Sequence, residues 1–435
     1  MDVVVAARSL IADTLAFHLL FITFGVALPL IISATELYGL VKKRPRAIKL
    51  AHTWSKALVI LFIAGAVSGT IVGLQFSLLW PTFMALAGQV VGVAFALEGF
   101  AFLIEALFLS VYMLSWNRFK PWQHWLCSLP IVLGSLTSAY FITTVNAWMN
   151  TPQGFNLNAQ GEPININTHQ AIFNPAVGTE TSHSILAYML AASLVLAAVY
   201  AWIVLRHKLE PKLKARVLKL VASLAAVALV FALLVGFTGD RSGKFLAKNE
   251  PLKLAAAEGL QTTSNSVPLL VGGVVDGDHI KYAITVPNLL SWLATGDIHG
   301  QVKGLDSAPS KDRPPLVVHY FFDGMVAIGS LAIVVTLAYV AANKWRPSWA
   351  ASKPLLIAII ACGVLGLVAV ELGWMLTEFG RQPYVIKGIM RTTEAATSSK
   401  VAIHFAYVFP LFYLVLFVLT IVGLKKTVKP TEALK

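Results

Sequence analysis

The sequence predicts an all-α polytopic membrane protein, with nine transmembrane helices and a long external loop between helices 6 and 7. Three observations carry this. Of 435 residues, 57% are hydrophobic and only 13% charged, and mean hydropathy is +0.73; a soluble chain carries roughly 25% charged residues. Apolar stretches recur at the length of about 20 residues that crosses a bilayer as a helix. Basic residues gather in alternate loops, as the positive-inside rule requires. That clustering accounts for the net charge of +13 without any nucleic-acid partner.

The stretch 10–40 exceeds one bilayer thickness, so it tilts or projects. Lys42, Lys43, Arg44, Arg46 and Lys49 follow it. The next spans, 55–79 and 88–115, are joined without Lys or Arg, and Arg118 and Lys120 come after. Spans 124–148 and 182–205 again lack a basic connection, and Arg206, Lys208, Lys212, Lys214 and Arg216 lead into 216–237. After the loop, span 317–342 is followed by Lys344, Arg346 and Lys353. Spans 354–379 and 401–424 complete the set, with Lys425, Lys426 and Lys429 beyond. This pattern puts the N-terminus outside and the C-terminus in the cytoplasm. Arg381, Lys387, Arg391 and Lys400, after the eighth span, run against it.

The chain thus divides into helices 1–6 (1–237), an external loop (238–316), and helices 7–9 with a short tail (317–435). The loop mixes charge, Gly and Pro with an amphipathic patch from Ile284 to Leu293; loops this long usually serve a function or are disordered. No internal repeat supports an inverted-repeat transporter. No basic region precedes the first apolar stretch, so a cleavable leader is not expected. Cys127 and Cys362 match no metal-binding spacing and are expected as buried thiols rather than a disulfide.

Charged groups inside apolar spans are expensive and usually functional. Glu371 and Glu378 lie seven residues apart, on one helix face. Glu98 and Glu105 do likewise, about 10 Å apart, as a two-step proton relay would; packing acids satisfied by Ser or Thr are the plainer alternative. Glu36 and Lys56 lie near loop ends, where snorkelling accounts for them. A single buried His is more often structural than a ligand, and a single Met is usually filler. Depth adds a pattern, because His18, His183, Met325 and Glu378 all fall in the outer half of the bilayer. Imidazole, thioether and carboxylate are haem-iron ligands, and a His/Met pair suits electron transfer. Arg8 and Arg381 lie near the same face, placed to neutralise haem propionates.

Several stretches resemble subunit I of the cytochrome bd-type quinol oxidases, over nearly the whole chain. They are Arg8 with His18; Ala96-Leu-Glu98-Gly with Glu105-Ala; Asn146-Ala-Trp148-Met149 with Pro152; Phe173-Asn174-Pro175-Ala176 with Ser182-His183; Gly239-Asp240-Arg-Ser242-Gly243; Pro251-Leu-Lys253-Leu-Ala-Ala-Ala-Glu258-Gly259; and Gly-Arg381-Gln382-Pro383. The resemblance implies three haems: a low-spin haem b bracketed by His183 and Met325, and two high-spin haems, a b and a d (or a third b), served by His18 and Glu378. It implies that Glu98 lies close to the high-spin pair and that Trp374 packs between haems. Lys253 and Glu258 would bind quinol and accept its protons. Two quinols and O2 would give two quinones and two waters, with protons for water drawn from inside and no pump. It also implies a prokaryotic cell membrane, a second membrane subunit and sometimes a small third one.

The chain departs from the family pattern in places. Asp323 stands two before Met325, where relatives often carry Arg or His; Gly73-Leu-Gln75-Phe76 lacks an acid; Glu250 replaces a Gln; and Gly134-Ser-Leu136-Thr137-Ser138 varies a Gly-Ser-Asn motif. The loop is of the short type. Two other readings compete: a haem-free proton- or ion-coupled transporter, and a quinol-docking b-type cytochrome without O2 chemistry.

Overall fold

The computed structural model describes residues 2–435. Among them, nine helices are long and apolar enough to cross a membrane. Helix α1 (Val3–Val41) begins with Asp2 accepting the Val4 N–H, a cap that starts it earlier than the expected residue 10. Helix α2 (Pro45–Leu79) and the short α3 (Pro81–Val90) both open on proline, which suits a first turn because its missing N–H has no intrahelical partner there. The expected third span, 88–115, is broken at Val91, and α4 (Gly92–Ser115) carries its apolar length. The fourth span is the short α5 (Pro121–Leu126) followed by α6 (Ser128–Asn150).

A small connection, α7 (Thr168–Ile172), leads to α8 (Val177–Arg206). Helix α8 is the pillar of the bundle: 72% of its apolar window is buried, and no other described span exceeds 44%. It packs on α1, α6, α9 (Pro211–Asn249) and α14 (Lys353–Arg381). Close approach to α14 uses glycine, since a Cβ at Gly363 would sit 3.1 Å from the Leu194 carbonyl. On the far side, α12 (Val318–Trp345) lies across α9 and α14, with α13 (Pro347–Ala350) turning between. Helix α16 (Val401–Thr427) packs on α1 and α2, after the short α15 (Thr392–Ala395).

Helix α9 runs to Asn249 rather than stopping at 237, so Gly239 to Gly243 are helical and not part of the loop. No proline interrupts it before Pro251, and Asp240 pairs with Lys244 one turn on at 2.7 Å. The rest of the loop is ordered into small elements. Helix α10 (Pro251–Ala257) leads to two short antiparallel pairings, Leu269–Val271 with Ile284–Val286 and Val274–Asp276 with His279–Lys281. Helix α11 (Leu289–Thr295) then packs on α9. Both cysteines are free thiols; Cys362 is buried, whereas Cys127 is only partly so.

Candidate functional site

A cavity of about 980 Å³ opens within the bundle, and His18, Glu98, Glu105, Glu371, Trp374 and Glu378 all line it. Arg8 and Arg381 border it as well. Residues far apart in sequence thus converge on one cavity.

His18 is held by a single hydrogen bond among the described residues. Its Nδ1 lies 2.9 Å from Ser68 Oγ, which leaves Nε2 without a hydrogen-bond partner among the described residues. Iron-binding imidazoles are oriented in this way, one nitrogen fixed and the other free. Gly69 lets the ring in, because a Cβ there would stand 2.9 Å from His18 Cε1. Glu378 accepts from Asn146 Nδ2 through one oxygen and from Arg381 Nη2, at 2.5 Å, through the other. Each carboxylate oxygen retains a second lone pair for a metal.

Arg381 is only 1% exposed, yet its Nε and Nη1 have no partner among the described residues. Two orphaned donors on a buried cation fit an anionic group within the cavity, as a haem propionate would be. Glu105 Oε1 and Glu371 Oε1 are orphaned in the same sense. Glu98 accepts from Ser138 Oγ at 3.1 Å, so the packing-acid alternative describes Glu98 in part, while Glu105 keeps an unpaired oxygen. Trp374 donates to Tyr188 Oη at 2.9 Å, which fixes its ring in the cavity wall.

His183 and Met325 lie outside this lining. His183 Nδ1 is 3.1 Å from Thr238 Oγ1 on α9, again leaving Nε2 unbonded among the described residues. Gly239 stands opposite, with room for a Cβ at 3.5 Å from the ring. Met325 faces Gly373 of α14, where a Cβ would come within 3.2 Å of its sulfur. Phe321 and Phe379 meet edge to face at 5.2 Å, and both border the cavity.

Lys253 and Glu258, expected in an external loop, are 3% and 4% exposed. Lys253 Nζ lies 2.5 Å from Glu250 Oε2 and 2.7 Å from Asn150 Oδ1. Its stem runs against Gly380, next to Arg381. Glu258 Oε2 has no partner among the described residues, and burial, reinforced by the Asp323 carboxylate, pushes its pKa up to about 8. Asp323, the unexpected acid, anchors the loop: it accepts the Gly272 N–H at 2.5 Å. His319 completes that anchor, with Nδ1 at 2.8 Å from the Ala257 carbonyl and Nε2 at 3.0 Å from that of Gly272.

Several polar residues escaped sequence reasoning. Asn150 is a hub, donating to Glu180 Oε1 at 3.0 Å and to Asn146 Oδ1 at 3.2 Å while accepting from Lys253. Through Asn146 it connects the loop lysine with Glu378. The one available signal was the spacing of Asn146 and Asn150, which puts them on one helix face.

The chain matches the family model for cytochrome bd terminal oxidase subunit I over residues 6–431. It is 34% identical over 409 residues to "Putative cytochrome bd menaquinol oxidase subunit I" of Bacillus subtilis (strain 168), covering 92% of this chain and 90% of that one. Identity to "Cytochrome bd ubiquinol oxidase subunit 1" of the same organism is 30% over 417 residues, covering 92% and 88%. The solved structure of the bd oxidase from Geobacillus thermodenitrificans aligns with a TM-score of 0.93 at 40% identity, over 98% of each chain. Nine spans among the described residues and a cavity that joins His18 to Glu378, together with these likenesses, establish that the chain belongs to the cytochrome bd terminal oxidase subunit I family.

Proposed function

We propose that this chain is the catalytic subunit of a terminal quinol:O2 oxidoreductase of a prokaryotic cell membrane, working with a second membrane subunit and, in some assemblies, a small third one. The observation that carries the reading is the cavity, in which an anchored imidazole, a carboxylate and a buried arginine with two orphaned donors converge. That donor set suits haem. His18 and Glu378 would hold the two high-spin haems, a b and a d or a third b, and His183 with Met325 would hold a low-spin haem b. When bound, the haems supply electron transfer and the reduction of O2 to water.

The chain's own residues do the rest. Arg381 and Arg8 neutralise propionates, and Trp374, fixed by Tyr188, fills the space between haems. Lys253 orients the quinol and Glu258 takes its protons at the outer face. Glu98 and Glu105 carry protons in from the cytoplasmic side. Two quinols and one O2 give two quinones and two waters, and charge separates because the two proton paths open on opposite sides.

The test is a reduced-minus-oxidised absorption spectrum of the chain co-produced with its partner, followed by O2 uptake with a short-chain quinol. Haem bands with quinol-dependent uptake are expected. A colourless protein would return the transporter reading, and haem without uptake the b-type cytochrome.

A further inference from the structure

One buried polar cluster takes no part in the proposed reaction. Glu36 sits near the end of α1, where a snorkelling carboxylate would reach water, yet it is 1% exposed. Its Oε2 accepts from Tyr112 Oη at 2.6 Å, and its Oε1 lies 2.6 Å from His124 Nδ1. His124 Nε2 is 3.1 Å from the Tyr112 carbonyl. The imidazole, 3% exposed, is packed by the Trp116 and Tyr112 rings at 4.1 and 4.3 Å. His52 of α2 stacks on Trp116 at 4.3 Å, and Lys56 and Cys127 are the other titratable groups nearby.

A count of hydrogens defines what this cluster holds. Nε2 faces a carbonyl oxygen, so it carries hydrogen, and the tyrosine hydrogen points at Glu36. One hydrogen is therefore left to lie between Glu36 Oε1 and His124 Nδ1. Without it two lone pairs would face each other, and the 2.6 Å separation is that of a charge-assisted bond. A buried pair of this kind is weak evidence of stabilisation, since apolar side chains of similar volume often serve as well.

Its position points to use. The cluster lies beside the basic loops that follow α1 and α4. On α4, Tyr112, Glu105 and Glu98 recur every seven residues, which forms one stripe. Facing α6 answers at each level. Ser138 bonds Glu98, Gly134 lies against Glu105, and His124, just ahead of α6, meets Tyr112. Ser128 donates to Ser33 Oγ at 2.8 Å beside the cluster, and Ser135 reaches the cavity wall with Glu105. Tyr112 and Glu105 are about 10 Å apart along the helix, with the Ser33–Ser128 pair near the first and Ser135 in the same cavity wall as the second.

We propose that the Glu36–His124 pair stores one proton from the basic-loop side and that Tyr112 passes it along the α4–α6 seam to Glu105. Each delivery removes one proton from the pair and each reloading restores one from the aqueous side; no electron moves. The inference rests on the proposed function, in which protons for water come from that side.

The test uses the purified two-subunit oxidase, with haem content and quinol-driven haem reduction measured first. Glu36→Gln and Tyr112→Phe should each lower O2 uptake per haem by roughly tenfold or more and raise its solvent isotope effect, with haem reduction changed by less than about twofold. Ser110→Ala, at an exposed position of α4, should match wild type. If Glu36→Gln fails to assemble, Tyr112→Phe decides, because it leaves the Glu36–His124 pair intact. Wild-type uptake and isotope effect in Tyr112→Phe would overturn the store, as would haem reduction falling in step with uptake, which marks a structural staple. A wild-type enzyme without quinol-dependent uptake would overturn the functional reading, and the store with it.

Discussion

Gly69→Ala isolates the proposed role of His18 by moving its ring without removing it. The new Cβ would stand 2.9 Å from His18 Cε1 and 3.4 Å from Nε2. Ordinary contact begins at 3.4 Å, so the ring must retreat by about 0.5 Å (3.4 minus 2.9). That equals the tolerance of about 0.5 Å within which a working site holds its groups. It also pulls Nδ1 away from Ser68, the bond that sets the ring plane. Stability should fall by no more than about 2.5 kcal/mol. Removing a helical glycine gains about 0.5–1 kcal/mol, against an overpacking cost of about 1–3 kcal/mol. The protein should therefore fold, while one high-spin haem is lost or its absorption band shifts. Gly239→Ala is the comparison, since its Cβ would lie 3.5 Å from the His183 ring, an ordinary contact. Gly88→Ala, with nothing within 4 Å, controls for helix propensity. The assay is haem content and the reduced-minus-oxidised spectrum, with a thermal melt alongside. A Gly69→Ala protein with the full wild-type spectrum would refute His18 as an iron ligand.

Further outcomes are expected at the loop and at the proposed His183–Met325 haem site. Glu258, with its pKa pushed up to about 8, is mostly neutral at neutral pH and becomes anionic as pH rises. A proton acceptor must be anionic, so quinol oxidation should climb through the range from roughly pH 7 to 9 and level off above; a Glu258→Gln enzyme that keeps this slope would assign it to another group. Lys253→Met strands the Glu250 carboxylate, itself 4% exposed, at a cost of about 3–5 kcal/mol. The cost should fall on the loop, raising the quinol KM and the rate of loop proteolysis with haem content unchanged; an unaltered KM would remove Lys253 from the quinol site. Met325→Leu should turn the low-spin haem toward high spin, as read by absorption or electron paramagnetic resonance, and an unaltered spectrum would strike Met325 from the ligand set.

The amino-acid sequence by itself determined the architecture. Nine apolar stretches became nine helices among the described residues, because no backbone polar group can go unsatisfied in lipid, and hydropathy alone announces this. It also singled out the residues whose presence in a span is costly: His18, Glu98, Glu105, Glu371 and Glu378, all of which line one cavity. Boundaries were read less well. Helix α9 continued through Gly239 to Gly243, since glycine weakens a helix without ending one and its stop lies at Glu250, just before Pro251.

Tertiary structure alone decided the partnerships. Asn146 meets Glu378 across 232 positions, and Lys253 meets Asn150 across 103. Glu36, expected to snorkel, is instead buried against Tyr112 and His124. The loop expected to lie outside folds down until Lys253 and Glu258 are buried, drawn by Asp323 and His319 of α12. Hydrophobic periodicity reports which way a helix faces. It carries no record of which polar atom waits on the neighbouring helix, and a hydrogen bond, effective only within about 3 Å, depends wholly on that.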